Sequence, residues 1–329
     1  MTEASNQQRT ALVTGANSGL GFEAARQLAE LGYESILLAC RTEAKGDQAR
    51  TELVELTGVD PFSTLTVDVA ELDSSRNAAA ELVARGEAFD SVLLNAGMVP
   101  NTLDRTSDGI EMCFASSLIG HHVIADALLE ADLINAGGVV VLAGSEAANN
   151  DIGKAMGMAV YDFVDGEPSD FGATLEEAME NFARAENGPG YNGNRQYSST
   201  KAFSAWWSAA MARRHPGSVR FSTVSPGTTM GTNAGRHATG FFKILLAFMR
   251  RFGKRLGMDQ PIDQGAGRYI DVLHDKNGPY QNGGTYTSRP KKVTGPLTLT
   301  APTHLTAIDR QAAAIAVLDK LTDQHGEAP

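Results

Sequence analysis

The 329-residue chain has only two cysteines, Cys40 and Cys113, and no metal-ligand spacing joins its seven histidines. A disulfide framework and a thiolate zinc site are both excluded, and a reducing compartment with no resident metal is expected. Basic charge is also short. The 28 Lys and Arg against 39 Asp and Glu leave a formal net charge of −11, which disfavours partners gripped mainly through a phosphate backbone. No nucleic-acid partner is therefore expected. No apolar run approaches the roughly 18 residues of a membrane span. The opening residues, Met1 to Arg9, have neither the basic stretch nor the apolar core of a secretion signal. A cytoplasmic protein without a membrane span follows as the expectation. With 42% hydrophobic and 20% charged residues spread along the chain, the composition is that of a globular protein.

Short, largely apolar runs, often β-branched, stand at Thr10–Thr14, Ser35–Ala39, Ser63–Val67, Ser91–Leu94, Gly138–Ala143 and Val219–Val224. Helical periodicity fills Leu20–Leu31, Glu43–Leu56, Glu71–Ala84, Gly109–Leu133 and Gln196–Arg214 between them. This β-α alternation predicts a parallel sheet covered on both faces, in an α/β domain. Gly284–Thr287 reads as the last strand and Ile308–Leu321 as a closing helix. Two stretches interrupt the alternation, Glu146–Gly193 and Thr228–Met258. The first is polar and acidic, with one helix-like piece at Thr174–Ala185, and is too long for a structureless loop inside a domain.

The first strand runs into Thr14-Gly15-Ala16-Asn17-Ser18-Gly19-Leu20-Gly21, and a helix follows. Glycine there lets phosphate oxygens approach the backbone, and the helix start offers unpaired N–H groups and a partial positive charge. The spacing G-x-x-x-G-x-G at a first strand-to-helix junction points to a pyrophosphate site. An acidic residue at the end of the second strand would favour NAD by bonding the adenosine ribose; here Cys40 is followed by Arg41. A guanidinium there fits the 2′-phosphate of NADP, with Ser18 and Lys45 as helpers; the alternative is a solvated arginine at a helix start. Asp68, after the third strand, suits the adenine amino group or a helix N-cap. Asn95-Ala96-Gly97, after the fourth, has the small residues that let a ribose pack, or serves the backbone alone.

Tyr197-Ser198-Ser199-Thr200-Lys201 opens a strongly helical stretch, and its four-residue separation sets the phenol and the ammonium one turn apart on one face. A phenol ordinarily titrates near about 10, and a nearby cation favours the phenolate. Bringing it near neutrality takes about 4 kcal/mol, which an ammonium and a positive nicotinamide supply in a desolvated cleft. Tyr197 is thus expected to act as an acid/base at neutral pH. Ser145 closes the fifth strand at the carboxyl edge, where open α/β sheets bind ligands.

Taken in order, Thr14-Gly15-x-x-x-Gly19-x-Gly21, Asp68-Val69, Asn95-Ala96-Gly97, Ser145, Tyr197-x-x-x-Lys201 and Pro226-Gly227 resemble the short-chain dehydrogenase/reductase superfamily over nearly the whole chain. The resemblance implies a single Rossmann-like doubly wound domain with about seven parallel strands. It also implies hydride transfer between a nicotinamide and a carbonyl or carbinol carbon. Tyr197 would transfer the proton, Ser145 would hydrogen-bond the substrate oxygen, and Lys201 would hold the nicotinamide ribose. The implied cofactor-binding set is Gly15, Asn17, Ser18, Gly19, Leu20, Gly21, Arg41, Asp68, Val69, Asn95, Ala96, Gly97, Tyr197, Lys201, Pro226, Gly227 and Thr228.

Two departures from the family pattern stand out. Ser117 falls where the family has a catalytic Asn that holds a relay water, so the fourth catalytic position carries a shorter side chain. Tyr197 lies 52 residues after Ser145 where many relatives need roughly a dozen, which makes residues 146–193 an insertion at the active-site rim. Such an insertion resembles those of monomeric carbonyl reductases and protochlorophyllide reductases. It would shape the substrate pocket and cover the helices used by tetrameric relatives, favouring a monomer or dimer. The Cys40-Arg41 strand end is similar to retinol-dehydrogenase-like members. Residues 228–258 occupy the place of the family's substrate lid. Five cations and an apolar face in Phe241–Arg255 leave lid, core helix and membrane-surface helix as readings, the first two ahead of the third. His121, His122, Trp206 and Trp207 read as structural. The expected substrate is an apolar or aromatic carbonyl or alcohol with NADP(H); reduction of a conjugated C=C bond and a non-catalytic NADP sensor are the alternatives.

Overall fold

The computed structural model describes residues 9–151, 158–165, 170–217, 219–229, 259–274 and 280–323. Of the 228–258 segment only residues 228 and 229 are among these, so the lid reading lies outside the described residues. The sheet is built from β1 (Thr10–Thr14), β2 (Ser35–Cys40), β3 (Phe62–Thr66), β4 (Phe89–Leu94), β5 (Ile134–Ala143), β6 (Arg220–Val224), β7 (Gly284–Thr287) and β8 (Thr298–Leu299). Their order is β3-β2-β1-β4-β5-β6-β7-β8. Every neighbouring pair is parallel except β7 with β8, which is antiparallel. The sheet therefore has eight strands rather than about seven. The extra one is two residues long, Thr298 and Leu299, beyond the reach of any pattern of alternation.

Order reverses between β1 and β4, so the loops after those strands diverge and leave a crevice at the carboxyl edge of the sheet. The central strands are buried on both faces, as the apolar runs required; Ala11, Leu12, Val13, Val92, Leu93 and Leu94 are fully buried. On one face lie α1 (Gly19–Glu30) and α2 (Glu43–Thr57), with a helix at Ile262–His274 that periodicity did not single out. The other face carries α3 (Leu72–Arg85), α4 (Met112–Glu130), α5 (Leu175–Arg184), α6 (Gly193–Arg214) and, numbered in chain order after the Ile262–His274 helix (α7), α8 (Ile308–Asp323).

Helix α4 is long and apolar enough to cross a membrane by length and composition, which corrects the expectation that no segment is; two-thirds of that stretch is buried within the protein. It starts at Met112 rather than Gly109 because Glu111 caps it, accepting the Phe114 N–H at 2.8 Å. A π-helical turn, Ala115–Ile119, interrupts it and places Ser117 on the inner side. Next comes Gly120, crossing the loop after β3. A Cβ there would lie 2.4 Å from Ser75 Oγ and 2.5 Å from the Val69 carbonyl oxygen, and the Gly120 N–H donates to that carbonyl at 3.1 Å.

Among the described residues of the 146–193 stretch, the aromatic side chains join the core. Tyr161, Phe163, Phe171 and Phe182 pack with Phe114 of α4 and Phe203 of α6, mostly edge to face, with Phe182 stacked on Phe203 at 5.6 Å. Thr174 caps α5 by accepting the Glu177 N–H, close to the helix expected at Thr174–Ala185. The indoles of Trp206 and Trp207 are buried and satisfied, donating to the His304 carbonyl at 2.8 Å and to His122 Nδ1 at 3.2 Å. The packing reading of both residues holds.

Gly120→Ala is expected to destabilise the fold by about 1–3 kcal/mol, because α4 must move off the β3 loop. A urea titration checks it; an unchanged midpoint would show that the crossing is looser than its distances.

Candidate active site

The loops that carry the sequence motifs all leave the carboxyl edge of the sheet: Gly15 to Gly21 after β1, Arg41 after β2, Asp68 and Val69 after β3, Asn95 to Gly97 after β4, Ser145 after β5, and Pro226 to Thr228 after β6. Gly15 turns the chain at φ +65°, a left-handed conformation that favours glycine. Gly21 sits where a Cβ would come within 2.5 Å of the Gly15 carbonyl and 2.6 Å of Asn95 Nδ2. The turn thus delivers the N-terminus of the 12-residue α1 to the crevice with no side chain in the way. Asn17, Ser18, Gly19 and Leu20 line the turn and are half-buried. This cradle has the shape and the polarity that a pyrophosphate needs.

Around it the backbone is fastened by side chains. Thr14 Oγ1 accepts the N–H groups of Asn95 at 2.8 Å and Ala96 at 3.0 Å, while Asn95 Nδ2 donates to the Thr14 carbonyl at 3.0 Å. Having accepted twice, the Thr14 hydroxyl donates to His121 Nε2 at 3.0 Å, which leaves the proton on Nδ1 to bond the Ser117 carbonyl at 3.0 Å. Burial, chiefly, pulls His121 down to about 4. His121 is accordingly a neutral strut between β1 and the π turn, a structural role with direct bearing on the site.

Arg41 is 65% exposed and only loosely paired, its Nε 3.9 Å from Asp68 Oδ2. A guanidinium so placed remains available to a phosphate at the end of β2. Asp68 Oδ1 accepts the Ala70 N–H at 3.1 Å, and the N-cap of α3 is Glu71, so the helix-capping reading of Asp68 is not what forms. Asp68 makes a local turn instead, and Val69 serves the α4 crossing.

Ser145 Oγ accepts the Ala147 N–H at 3.2 Å, as cap of the short turn Glu146–Asn149, and it lies within hydrogen-bonding reach of the Tyr197 phenol. Lys201 Nζ donates to the Ala143 carbonyl at 2.9 Å, at the end of β5, and stands 5.7 Å from the centre of the Tyr197 ring. Helix α6 begins at Gly193, where the Asn192 side chain caps it, and so already runs as helix through both residues. Burial pushes the phenol up to about 12, more than its bond to Ser145 lowers it, and pulls Lys201 down to about 8. The expected near-neutral phenol is therefore not a property of the chain by itself. Desolvation outweighs the Ser145 contact, and the proton stays on Tyr197.

Beside Lys201 two buried hydroxyl oxygens, Ser117 Oγ and Thr200 Oγ1, have no hydrogen-bond partner. A Cβ on Gly97 would lie 3.2 Å from Ser117 Oγ and 3.8 Å from Lys201 Nζ, so the absence of a side chain at residue 97 keeps this space open. The fourth catalytic position of the sequence reading is thus next to the lysine, and it presents an unsatisfied oxygen. At the other side Gly227, at φ +72°, and Thr228, whose N–H donates to the Val293 carbonyl at 2.8 Å, close the crevice after β6.

His122, Asp126 and Asp319 bring one ring nitrogen and two carboxylates together. Trp207 donates to His122 Nδ1, which fixes the ring proton on Nε2 facing Asp319 at 3.0 Å, and Arg214 binds both oxygens of Asp319. A metal on Nε2 would need that proton moved to Nδ1, against the indole N–H. The trio is a hydrogen-bonded clamp between α4 and α8, and Arg214 of α6 completes it by its ion pair with Asp319. Glu146 and Arg268, buried beside Ser145 and Gly227, were missed by the sequence reading. Neither carries a local signal in the sequence, and only the tertiary fold pairs them.

With this geometry in place, the comparisons with known proteins are specific. The short chain dehydrogenase family model matches residues 9–161. Residues 9–161, just under half of the chain, thus carry the pattern of the short-chain dehydrogenase/reductase superfamily. It is 27% identical over 301 residues to the chloroplastic protochlorophyllide reductase of Chlamydomonas reinhardtii, covering 84% of this chain and 70% of that protein. To mouse retinol dehydrogenase 11 it is 34% identical over 122 residues, 37% of this chain and 38% of the relative, so less than two-thirds of that protein's length is spanned. Among solved structures, a Mycobacterium paratuberculosis protein aligns at TM-score 0.66 and 20% identity, covering 96% of this chain and 94% of that one. A Burkholderia cenocepacia short chain dehydrogenase in complex with NADP aligns at TM-score 0.58 and 20% identity, covering 85% and 95%.

Because His121 is held neutral, its contribution to stability is complete above about 6.5, the ordinary histidine value, and is lost as pH falls toward about 4. The wild type is expected to lose on the order of 3 kcal/mol through this window that a His121→Asn variant does not lose. Urea unfolding at stepped pH reads the difference; parallel curves would remove the strut.

Proposed function

We propose that the chain is an NADP(H)-dependent oxidoreductase that interconverts a carbonyl and an alcohol, with an apolar or aromatic substrate. One observation carries this reading: Ser145, Tyr197 and Lys201 converge at the carboxyl edge of the sheet beside the glycine turn. The bound nicotinamide supplies or receives the hydride. Ser145, with one of its two lone pairs taken by the Ala147 N–H, keeps its proton to donate to a substrate oxygen. Tyr197, held protonated, delivers a proton to the same oxygen as charge develops there, and the buried Lys201 ammonium steadies the phenolate that results. Ser117 Oγ and Thr200 Oγ1 provide the polar lining through which a water could return a proton to Lys201.

NADP rather than NAD rests on the exposed Arg41 at the end of β2, with no carboxylate at that strand end, and agrees with the NADP-bound Burkholderia neighbour. The likeness to protochlorophyllide reductase along most of the chain favours a second reading, reduction of a conjugated C=C bond, in which the Tyr197 proton goes to carbon. The retinol dehydrogenase relatives favour the carbonyl/alcohol pair. An intact Ser145, Tyr197 and Lys201 argues against a non-catalytic sensor.

A panel of para-nitrobenzaldehyde, an aryl ketone and an aryl enone, with NADPH oxidation and product analysis, separates the two chemistries. Tyr197→Phe is expected to lower turnover by at least about 1,000-fold while NADPH affinity stays within a factor of a few. Retained turnover would sink the assignment. Arg41→Asp is expected to weaken NADPH by about tenfold or more and leave NADH unaffected or improved. An unchanged ratio of the two affinities would take Arg41 out of the role.

A further inference from the structure

Glu146 and Arg268 are 6% and 5% exposed, and each belongs to a different layer: Glu146 follows Ser145 at the end of β5, and Arg268 lies in the middle of α7. Their ion pair measures 3.2 Å, Arg268 Nη1 to Glu146 Oε1. Both oxygens of the carboxylate carry further hydrogen bonds. Oε1 also accepts the Ser288 N–H at 3.2 Å and the Ser288 hydroxyl at 2.8 Å, and Oε2 accepts the Ser225 hydroxyl. The guanidinium donates in turn to the Ser225 carbonyl at 3.1 Å, to Ser288 Oγ at 2.9 Å and to the Gly295 carbonyl. Ser225 Oγ, having given its proton to Glu146, accepts the N–H of Gly227 at 3.1 Å. A Cβ on Gly227 would meet Arg268 Nη1 at 2.8 Å, so the guanidinium lies directly under that turn.

A buried ion pair contributes little net stability, since desolvation of both charges offsets most of their attraction. Apolar side chains would fill the same volume at least as well. What they would not do is fix the direction of the hydrogen bonds on both sides of the crevice. On one side the pair pins the Glu146–Asn149 turn, whose Ala147 N–H occupies one Ser145 lone pair and so orients the hydroxyl that would donate to the substrate. On the other it pins Ser225, which holds the Gly227 N–H and sets the Pro226–Thr228 loop.

We infer that Glu146 and Arg268 are positioning residues that lock the proton-donating serine and the loop after β6 into one register, so that turnover and cofactor affinity depend on the same ion pair. This rests on the dinucleotide reading of the site given above. Neither residue touches the reacting atoms; both act through Ser145 and Ser225.

The test uses the full chain and its Glu146→Gln, Arg268→Met and Arg268→Lys variants, with Ser145→Ala as reference. NADPH affinity is read by fluorescence titration, turnover at saturating NADPH with the fastest carbonyl of the panel, and folding by circular dichroism. Ser145→Ala is expected to lower turnover and leave NADPH affinity within about twofold. Each ion-pair variant is expected to do both, lowering turnover about tenfold or more and weakening NADPH about fivefold or more. Arg268→Lys retains the charge against Glu146 but not the fork that reaches Ser225, Ser288 and Gly295. It therefore decides the matter if Arg268→Met does not fold. Folded variants that keep either constant at its wild-type value overturn the proposal. A wild-type chain that binds no NADPH overturns the functional reading and the proposal with it, whereas wild-type binding with unmoved variants overturns the proposal alone.

Discussion

The hydroxyl of Thr14 is the point on which the site converges. It is fully buried, accepts two backbone N–H groups from the end of β4, and gives its proton to His121. Those bonds join the first and fourth strands where the sheet order reverses and where their loops would otherwise part. The glycine turn, the Asn95–Gly97 backbone and the π turn bearing Ser117 are thereby referred to a single atom. A valine would match the shape but leave two buried N–H groups unpaired, a penalty of a few kcal/mol in total. The crevice is consequently a property of the strand ends, and the loops inherit their positions from it.

A second constraint comes from water exclusion. Lys201 is buried with one carbonyl for company and gives up much of its affinity for a proton, while Tyr197 gains affinity for its own. Each shift disfavours charge in a cleft that offers the chain no internal counter-ion among the described residues at Lys201. Ser145 is half-buried, and its hydroxyl oxygen accepts the Ala147 N–H. Burial thus favours the uncharged forms of both Tyr197 and Lys201, and two further buried hydroxyl oxygens, Ser117 Oγ and Thr200 Oγ1, have no hydrogen-bond partner.

Much of this was legible in the sequence because the fold writes it locally. Strand runs such as Thr10–Thr14 and Ser35–Cys40 lie within a residue of where their apolar pattern put them, and the motifs fell at strand ends as a parallel sheet requires. Strand β5 begins at Ile134, earlier than Gly138, because a register irregularity opposite Phe89 and Ser91 lets Ile134 pair before the glycines. What could not be read were relations between distant residues. Nothing near Arg268 announces Glu146, 122 positions away, and nothing near Phe182 announces Phe203 and Phe114. For Tyr197 the spacing gives the distance to the lysine, whereas the desolvation that acts on the phenol shows only in the folded chain.

The sheet ends at one side on β8, two residues paired antiparallel to β7. So short a strand is a poor template, and Pro296 and Pro302 stand close by on either side of it, each without an amide N–H to offer. An incoming chain would find too few free backbone groups to extend the sheet there. At that edge, then, crowding at high concentration meets a closed seam, and any association on that side has to be made by side chains, which a few substitutions can retune without touching the crevice at the carboxyl edge of the sheet.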